Sequence, residues 1–143
     1  MQRLPPTPVS KSFLVCQRVF VDKHTGETMI LGPMHQIYAS GYPLVATLAI
    51  YCRWLSVHGV YDLDIQLQDL EGNIIWGERQ QPSLECHDPL LVTLVTMQPL
   101  SIYFPRPGKY EIVILANGQE VIRDVFFALL SPQQVSEPPP NDV

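Results

Sequence analysis

Alternating apolar and polar side chains between Gly59 and Trp76 constrain the fold of this chain more than any other feature. Within this stretch, Tyr61, Leu63, Ile65 and Leu67 alternate with Asp62, Asp64, Gln66 and Gln68. A period of two residues predicts a β-strand, because a helix would spread the same apolar side chains around its circumference. The next segment, 69–73, has the composition of a turn, and Gly72 can adopt a positive φ there. The sequence therefore predicts a β-hairpin with one face on a core and one in water, as in an antiparallel sheet.

The same kind of pattern recurs along the chain. It predicts further strands at 13–21, 27–31, 34–39, 46–55, 90–97, 100–104, 110–116 and 121–129. Gly32-Pro33 and Pro99 are expected to end strands, and Asn117-Gly118 is the signature of a tight type I′ hairpin turn. About eight to ten short strands without an amphipathic helix indicate an all-β protein. A β-sandwich is favoured over a barrel, because a barrel needs more regular strand lengths.

The domain organisation follows from length and proline content. A chain of 143 residues suits one domain. We expect residues 1–12 to be a flexible, proline-containing segment, residues 13–130 to form the β-domain, and residues 131–143 to be a disordered proline-rich tail. Only 16 % of the residues are charged, against 46 % that are apolar. Either a partner such as a second subunit covers part of the surface, or the low charge is simply that of a β-sandwich.

Charge and cysteine content exclude several classes of partner. The net charge is −5, and the nine Lys and Arg residues are scattered, so neither nucleic acid nor an anionic membrane surface is an expected partner. The N-terminal segment lacks the apolar stretch of a secretory signal, and no run is long enough to span a membrane. Three widely spaced cysteines do not form a disulfide framework, so we expect a cytoplasmic protein.

Several segments resemble a family of small bacterial proteins of unknown function. They are Val21 to Gly32 (VDKHTGETMILG), Tyr42-Pro43, the turn at 69–73, and Pro105 to Val121 (PRPGKYEIVILANGQEV). The similarity spans most of residues 13–129, whereas residues 80–97 are longer and more apolar than the family pattern. The resemblance implies an immunoglobulin-like antiparallel β-sandwich, and it implies no substrate, cofactor or catalytic residue. In such domains a tyrosine at the position of Tyr110 often bonds a neighbouring backbone group, so we expect a structural role for it.

Only one local cluster combines residues that bind metals. The cluster consists of three consecutive residues, Cys86, His87 and Asp88. A site could be completed by Cys52, His58 and His35 if the fold brought them near. Zinc sites usually show paired ligands such as CxxC, which this chain lacks, so a solvated loop is the simpler interpretation. A thiol nucleophile at Cys86 is disfavoured, because a base next to it in sequence is poorly placed to reach it. We therefore expect neither a metal ion nor another cofactor.

Other candidate groups have ordinary structural explanations. Asp62 and Asp64 would lie about 7 Å apart on one strand face, which suits a glycosidase pair but also suits a solvated surface. Oxygen atoms of Asp69, Glu71 and Asn73 are too few for a calcium site and fit turn chemistry. An aromatic sugar platform could be imagined from Trp54, Trp76, Tyr51 and Tyr61, but Trp54 and Tyr61 are expected to face the core. No phosphate-binding glycine motif is present.

Two hypotheses on function remain. The first is a non-catalytic interaction or structural module, whose exposed edge strand could pair with a protein partner or with a second copy. Its candidate surface is the strand Leu90 to Met97, and Leu91 and Val95 are the positions to test. The alternative is a small-molecule or metal-binding site on the loop at 80–89, which could also carry out hydrolysis. No site motif is present, so we favour the first hypothesis and expect no catalytic residues.

Overall fold

The computed structural model describes residues 7–81, 83–88 and 90–132. Within these ranges the chain forms eleven β-strands and no helix, so the prediction of an all-β protein is confirmed. The strands are β1 (Val9–Val21), β2 (Thr28–Met34), β3 (Gln36–Ala39), β4 (Leu44–Leu55), β5 (Gly59–Tyr61), β6 (Leu63–Gln68), β7 (Ile74–Arg79), β8 (Leu84–Cys86), β9 (Thr93–Phe104), β10 (Gly108–Ala116) and β11 (Gln119–Leu130). No helix in the described part of the chain is long and apolar enough to cross a membrane.

These strands build two large sheets and one small sheet. The first sheet has the order β2-β1-β4-β9, the second has the order β3-β11-β10-β6-β7, and β5 pairs with β8. Neighbouring strands are antiparallel, as predicted, except that β3 runs parallel to β11.

One apolar core joins the two large sheets. On β4 the predicted inward set of Leu48, Ile50, Cys52 and Trp54 is buried, as is the alternating set on the predicted hairpin strand, Tyr61, Leu63, Ile65 and Leu67. Both sets belong to a single cluster, together with Phe104, Tyr110 and Phe126. Burying one large apolar side chain contributes roughly 1.5–3 kcal/mol, so this cluster is the main source of stability.

The strand predicted from Gly59 to Gln68 is divided into β5 and β6 at Asp62. The backbone of Asp62 bonds Asn117 on both sides: the Asp62 N–H donates to Asn117 Oδ1, and the Asn117 N–H donates to the Asp62 carbonyl, each at 2.9 Å. Asn117 therefore occupies the place of a neighbouring strand at this residue. The turns at 69–73 and at Asn117-Gly118 have the positive φ angles that were predicted for them. The values are 84° at Gly72, 49° at Asn117 and 81° at Gly118.

The two predicted proline breaks are wrong. Pro33 lies inside β2 and Pro99 lies inside β9. Both strands are edges of the first sheet, and a proline on an edge strand need not remove a ladder hydrogen bond. Opposite Pro99 the pairing of β4 with β9 shifts between Leu48 and Ile50, and this irregularity accommodates the proline.

The described strands extend beyond the predicted boundary at the N-terminal side. β1 begins at Val9, four residues before the expected start of the domain at 13, because residues from Val9 onward pair with the end of β4. Residues 1–6 of the expected flexible segment lie outside the described residues. β11 ends at Leu130, and residues 133–143 of the expected tail also lie outside them.

Candidate functional site

The Cys86-His87-Asp88 cluster does not converge on a common point. The Cys86 thiol donates to the backbone carbonyl of Asp88 (3.3 Å), while Asp88 Oδ1 accepts from the N–H of Leu90 (3.0 Å). His87 Nε2 lies 2.9 Å from Glu85 Oε1, and both side chains are exposed. Part of the expected loop is the strand β8, which holds Leu84–Cys86 in an extended backbone. Only Cys86 of the three belongs to β8, and His87 lies in a bend after it, so the three side chains bond different groups.

The residues proposed to complete a metal site do not join this cluster. Cys52 is fully buried in the core, and burial raises the pKa of its thiol to about 12, which keeps it protonated. His35 and His58 are exposed. Across residues 7–81, 83–88 and 90–132 there is no group of three or more His, Cys, Asp or Glu side chains that could hold a metal ion.

The carboxylates of Asp62 and Asp64 are held by Arg79. Arg79 Nε lies 3.0 Å from Asp64 Oδ1, and its Nη1 lies 4.0 Å from Asp62 Oδ2. Ser83 donates a further hydrogen bond to Asp62 Oδ1 at 3.1 Å. The hydrogen bond and the charge of Asp64 raise the pKa of Arg79. These contacts form a surface ion pair network, which explains both carboxylates without a reaction.

Asp69 organises its own turn. Its Oδ1 accepts from the N–H groups of Glu71 and Asn73 (2.9 Å each), and its Oδ2 accepts from Asn73 Nδ2 (3.0 Å). The Asn73 side chain and backbone bonds lower the pKa of Asp69. Both carboxylate oxygens therefore take part in turn hydrogen bonds.

The four aromatic residues of the imagined sugar platform are separated by the fold. Trp54 and Tyr61 are fully buried in the core. Trp76 is half-buried on the second sheet, whereas Tyr51 is half-buried on the first sheet beside a small separate cluster of Cys16, Val19 and Ala49. The rings therefore form no shared exposed surface.

Tyr110 has the structural role expected of it. Its hydroxyl donates to the backbone carbonyl of Arg106 at 2.5 Å, and its ring meets Phe104 edge to face with centroids 5.4 Å apart. The side chain is buried. Its hydrogen bond fixes the turn at 105–108 against the core.

The outer edge of β9 adjoins an exposed apolar segment. β9 bonds β4 on one side only and is an edge of the first sheet. Just before it, Leu90 and Leu91 are 87 % and 57 % exposed, and Val92 and Leu94 are exposed as well. From Leu90 to Phe104 the sequence contains no charged residue. Edge strands are normally protected by charges, by prolines or by shortness, so the stretch before Pro99 is open to pairing.

A groove runs beside this edge. It has a volume of about 310 Å³, one wall formed by Thr93, Leu94, Val95 and Thr96, and another formed by Gln80, Gln81, Ser83, Leu84 and Glu85. The wall at 80–85 was not foreseen from the sequence, because no local pattern shows that these residues meet β9. The charge-free run from Leu90 to Phe104 is the sequence signal that could have identified this strand as an open edge.

The two positions chosen from the sequence lie in different environments. Leu91 is exposed in the turn that precedes β9, which suits a contact residue. Val95 is half-buried and packs against the main core. A charge at Val95 would therefore disturb the fold as well as any contact, and Leu94, which is exposed, is the better position on β9.

Comparisons with known proteins show a matching family model and similarity to solved structures. A family model described as a family of unknown function (DUF6941) matches residues 11–126. Among solved structures, the chain is similar to the alkylpurine DNA glycosylase AlkC of Pseudomonas fluorescens bound to DNA containing an abasic site analogue. The identity is 9 %, the TM-score is 0.44, and the match covers 82 % of this chain and 30 % of that chain, so this chain spans less than a third of its length. No curated protein matches the chain.

Proposed function

The chain belongs to the DUF6941 family of unknown function, and we propose that it is a non-catalytic interaction module that self-associates through the edge of β9. The contact surface, called the edge patch below, comprises the exposed side chains of Leu90, Leu91, Val92 and Leu94 and the adjoining groove. The observation that carries the proposal is a long edge strand without a charged residue, next to exposed apolar side chains.

The other sheet edges are less suited to pairing. β2 contains Pro33 on the second edge of the first sheet. On the second sheet, β3 has only four residues, and β7 ends in Glu78 and Arg79. These are the usual protections of an edge strand, and the part of β9 before Pro99 has none of them.

A second copy fits the edge patch because the patch is self-complementary. It carries a projecting apolar segment, Leu90 to Val92, directly beside a groove whose walls include Leu84 and Val95. Across a two-fold axis the projecting segment of each copy can enter the groove of the other, as an isologous interface requires. The two β9 strands carry no charged residue and therefore do not repel each other, and Glu85 is the charged side chain that lines the groove.

The architecture and the location that we propose agree with this function. An immunoglobulin-like sandwich is supported by two large sheets that share one core and by the Tyr110 corner. A reducing compartment such as the cytoplasm is supported by three free cysteines, two of which are buried.

Sedimentation equilibrium of the full chain tests the proposal. We expect a mass of twice the 16.2 kDa of one chain for the wild type. The double variant Leu91→Lys, Leu94→Lys should shift to the monomer, because each copy would bring two desolvated charges into the interface. A matched control, Leu70→Lys with Ile74→Lys, adds the same charges at two equally exposed apolar positions of the hairpin at 69–74 and should remain dimeric.

Two results would reject self-association through the edge patch. One is a wild type that stays monomeric up to about millimolar concentration, at which even a weak contact of ~4 kcal/mol is populated. The other is an edge-patch variant that keeps both the dimer mass and the near-ultraviolet circular dichroism of the buried aromatic residues.

A further inference from the structure

Another pocket lies between the two large sheets, on the side of the first sheet away from β9. It has a volume of about 230 Å³ and is lined by residues 13–15 of β1, by 33–35 where β2 ends, by Ile112 of β10 and by 124–126 of β11. In the first sheet β4 separates β1 from β9, and the pocket shares no lining residue with the groove of the edge patch. It is called the side pocket below.

The pairing of β1 and β11 explains why the molecule is open here. β2 pairs with β1 only from Val15 onward, and β3 pairs with β11 only from Phe127 onward. Before these residues no further strand of the described part of the chain covers β1 or β11 on this side. At the far end of the opening, the Thr7 hydroxyl donates to Gln119 Oε1 at 2.7 Å, so β1 and β11 start side by side. The opening therefore leads from solvent to the space between the sheets.

The inner walls of the side pocket are apolar and belong to the main core. Val15, Ile112 and Phe126 are buried members of the core cluster, and Phe13 and Met34 pack against it. Two phenyl rings and a thioether favour an aromatic guest, because rings pack edge to face and sulfur contacts ring edges. A cavity of about 150 Å³ holds benzene, so a pocket of this volume admits a phenyl ring with a short side chain.

Asp124 interrupts an otherwise apolar row. Alternation along β11 places it on the same face as the buried Phe126 and Ala128, and it lies opposite Ile112 of β10. Its Oδ1 accepts from the Val125 N–H at 2.9 Å. Within the described residues its carboxylate takes part in no ion pair. The side chain is exposed, so a negative charge stands at the mouth of the side pocket.

Neighbouring side chains leave this charge without compensation. Arg123 lies on the opposite face of β11 and pairs there with Glu111 and Glu120. His35 also lines the pocket, and imidazole groups ordinarily carry no charge at pH 8. At that pH Asp124 is the only charged side chain among the described lining residues. An apolar pocket with one carboxylate at its mouth complements a ligand that has an apolar body and one cationic end.

We propose that the side pocket binds a small primary arylalkylamine, with its ring against Phe13 and Phe126 and its ammonium group at Asp124. Drug-sized ligands are excluded by volume, because their pockets start at about 300 Å³. Another strand is not the expected occupant either. The open part of β11 carries Glu120, Arg123 and Asp124, and charged residues protect an edge from pairing.

This site is independent of the proposed self-association. Asp124→Asn should leave the mass of the chain in sedimentation equilibrium unchanged. The edge-patch variant Leu91→Lys, Leu94→Lys should bind the amine with wild-type affinity. A failure of either proposal is therefore distinguishable from a failure of the other.

NMR titrations of the full chain with labelled methyl groups test the site at pH 8. The probes are 2-phenylethylamine, the neutral 2-phenylethanol, the anion 3-phenylpropanoate, and propylamine, which lacks the ring. We expect 2-phenylethylamine to cause saturable shifts at the methyl groups of Val15, Met34 and Ile112. It should bind about fivefold more tightly than 2-phenylethanol, which is the upper range for an ion pair at an exposed site. The anion and propylamine should bind more weakly than the alcohol, because one meets a like charge and the other buries no ring.

Two matched variants isolate the carboxylate. Asp124→Asn keeps an oxygen that can accept from the Val125 N–H, and it should lower the affinity for 2-phenylethylamine to that for 2-phenylethanol. Asp88→Asn alters another exposed aspartate whose Oδ1 accepts from a backbone N–H, and it should retain the wild-type affinity.

Several results would overturn the proposal. One is a preference for the amine that persists in Asp124→Asn, and another is an equal loss in the Asp124 and Asp88 variants. Propylamine binding as tightly as 2-phenylethylamine would show that the apolar walls play no part. Saturable shifts confined to methyl groups outside the side pocket, or no saturable shift at all, would show that the amine does not bind there.

Discussion

Replacing Gln98 by alanine should lower the free energy of unfolding by about 2 kcal/mol, because one side chain satisfies two backbone groups. Gln98 Oε1 accepts from the Val19 N–H at 2.9 Å, and Gln98 Nε2 donates to the Val19 carbonyl at 2.6 Å. The pairing of β1 with β4 ends at Cys16 and Ala49, so β4 does not pair with Val19. The amide of Gln98 on β9 therefore replaces a neighbouring strand at this point.

The magnitude follows from the number of bonds and their burial. A neutral hydrogen bond contributes about 1 kcal/mol net, so the loss of both gives about 2 kcal/mol. Val19 is 4 % exposed, but the bonds themselves are only partly buried, so water can replace part of what is lost. At a size near 150 residues, each 1 kcal/mol shifts Tm by roughly 2–4 °C, which predicts a fall of about 4–8 °C.

Urea denaturation followed by tryptophan fluorescence measures this change. The midpoint should fall without a change in the slope m, and protein concentration must be fixed because self-association would add to the apparent stability. Gln98→Glu is the matched control: it keeps an acceptor for the Val19 N–H but places a carboxylate against the Val19 carbonyl. That variant should be destabilised at neutral pH and recover on acidification, when the protonated carboxyl can donate. A loss below about 0.5 kcal/mol for Gln98→Ala would refute the reasoning, since surface substitutions without a structural role fall in that range.

Two further predictions concern the core. Tyr110→Phe should cost about 1 kcal/mol by removing the hydroxyl that bonds the Arg106 carbonyl, whereas Tyr103→Phe, at an exposed hydroxyl, should leave the urea midpoint unchanged; equal effects would contradict the corner role of Tyr110. Burial raises the pKa of Cys52 from 9.0 to about 12, so its thiol ionises first in the unfolded chain, and stability that is fully present below pH 9 should fall as pH rises from 9 towards 12. Urea midpoints between pH 8 and 10.5 should therefore fall less steeply for Cys52→Ala than for the wild type, and parallel curves would show that this thiol does not contribute.

Secondary structure was predictable wherever it depends on neighbours in the sequence. The alternation at Leu63, Ile65 and Leu67 identified a strand with one buried face, since the period of side chains along a strand is a local property. Pro33 and Pro99 misled the prediction because a proline ends a strand only if its nitrogen faces a partner. Whether it does so depends on the order of strands in the sheet, which is set by contacts between distant residues.

The candidate site also combines features that the local sequence reveals with features that only tertiary packing sets. Sequence analysis chose the strand Leu90 to Met97 as the candidate surface, but it treated Leu91 and Val95 as equivalent positions on that surface. Only the packing of β9 against the core separates the exposed Leu91 from the half-buried Val95. The adjacency of Cys86, His87 and Asp88 suggested a common site, yet the strand ends at Cys86 and the three side chains bond different partners.

The sequence by itself determined that this is an all-β protein, which strand faces are buried and where the tight turns lie, because those properties follow from the period and chemistry of consecutive residues. Tertiary structure alone decided that β9 is an open edge and that Gln80, Gln81 and Ser83 line a groove beside it. Both depend on which distant strands become neighbours. That choice is made by the packing of side chains into one core, and no local pattern records it.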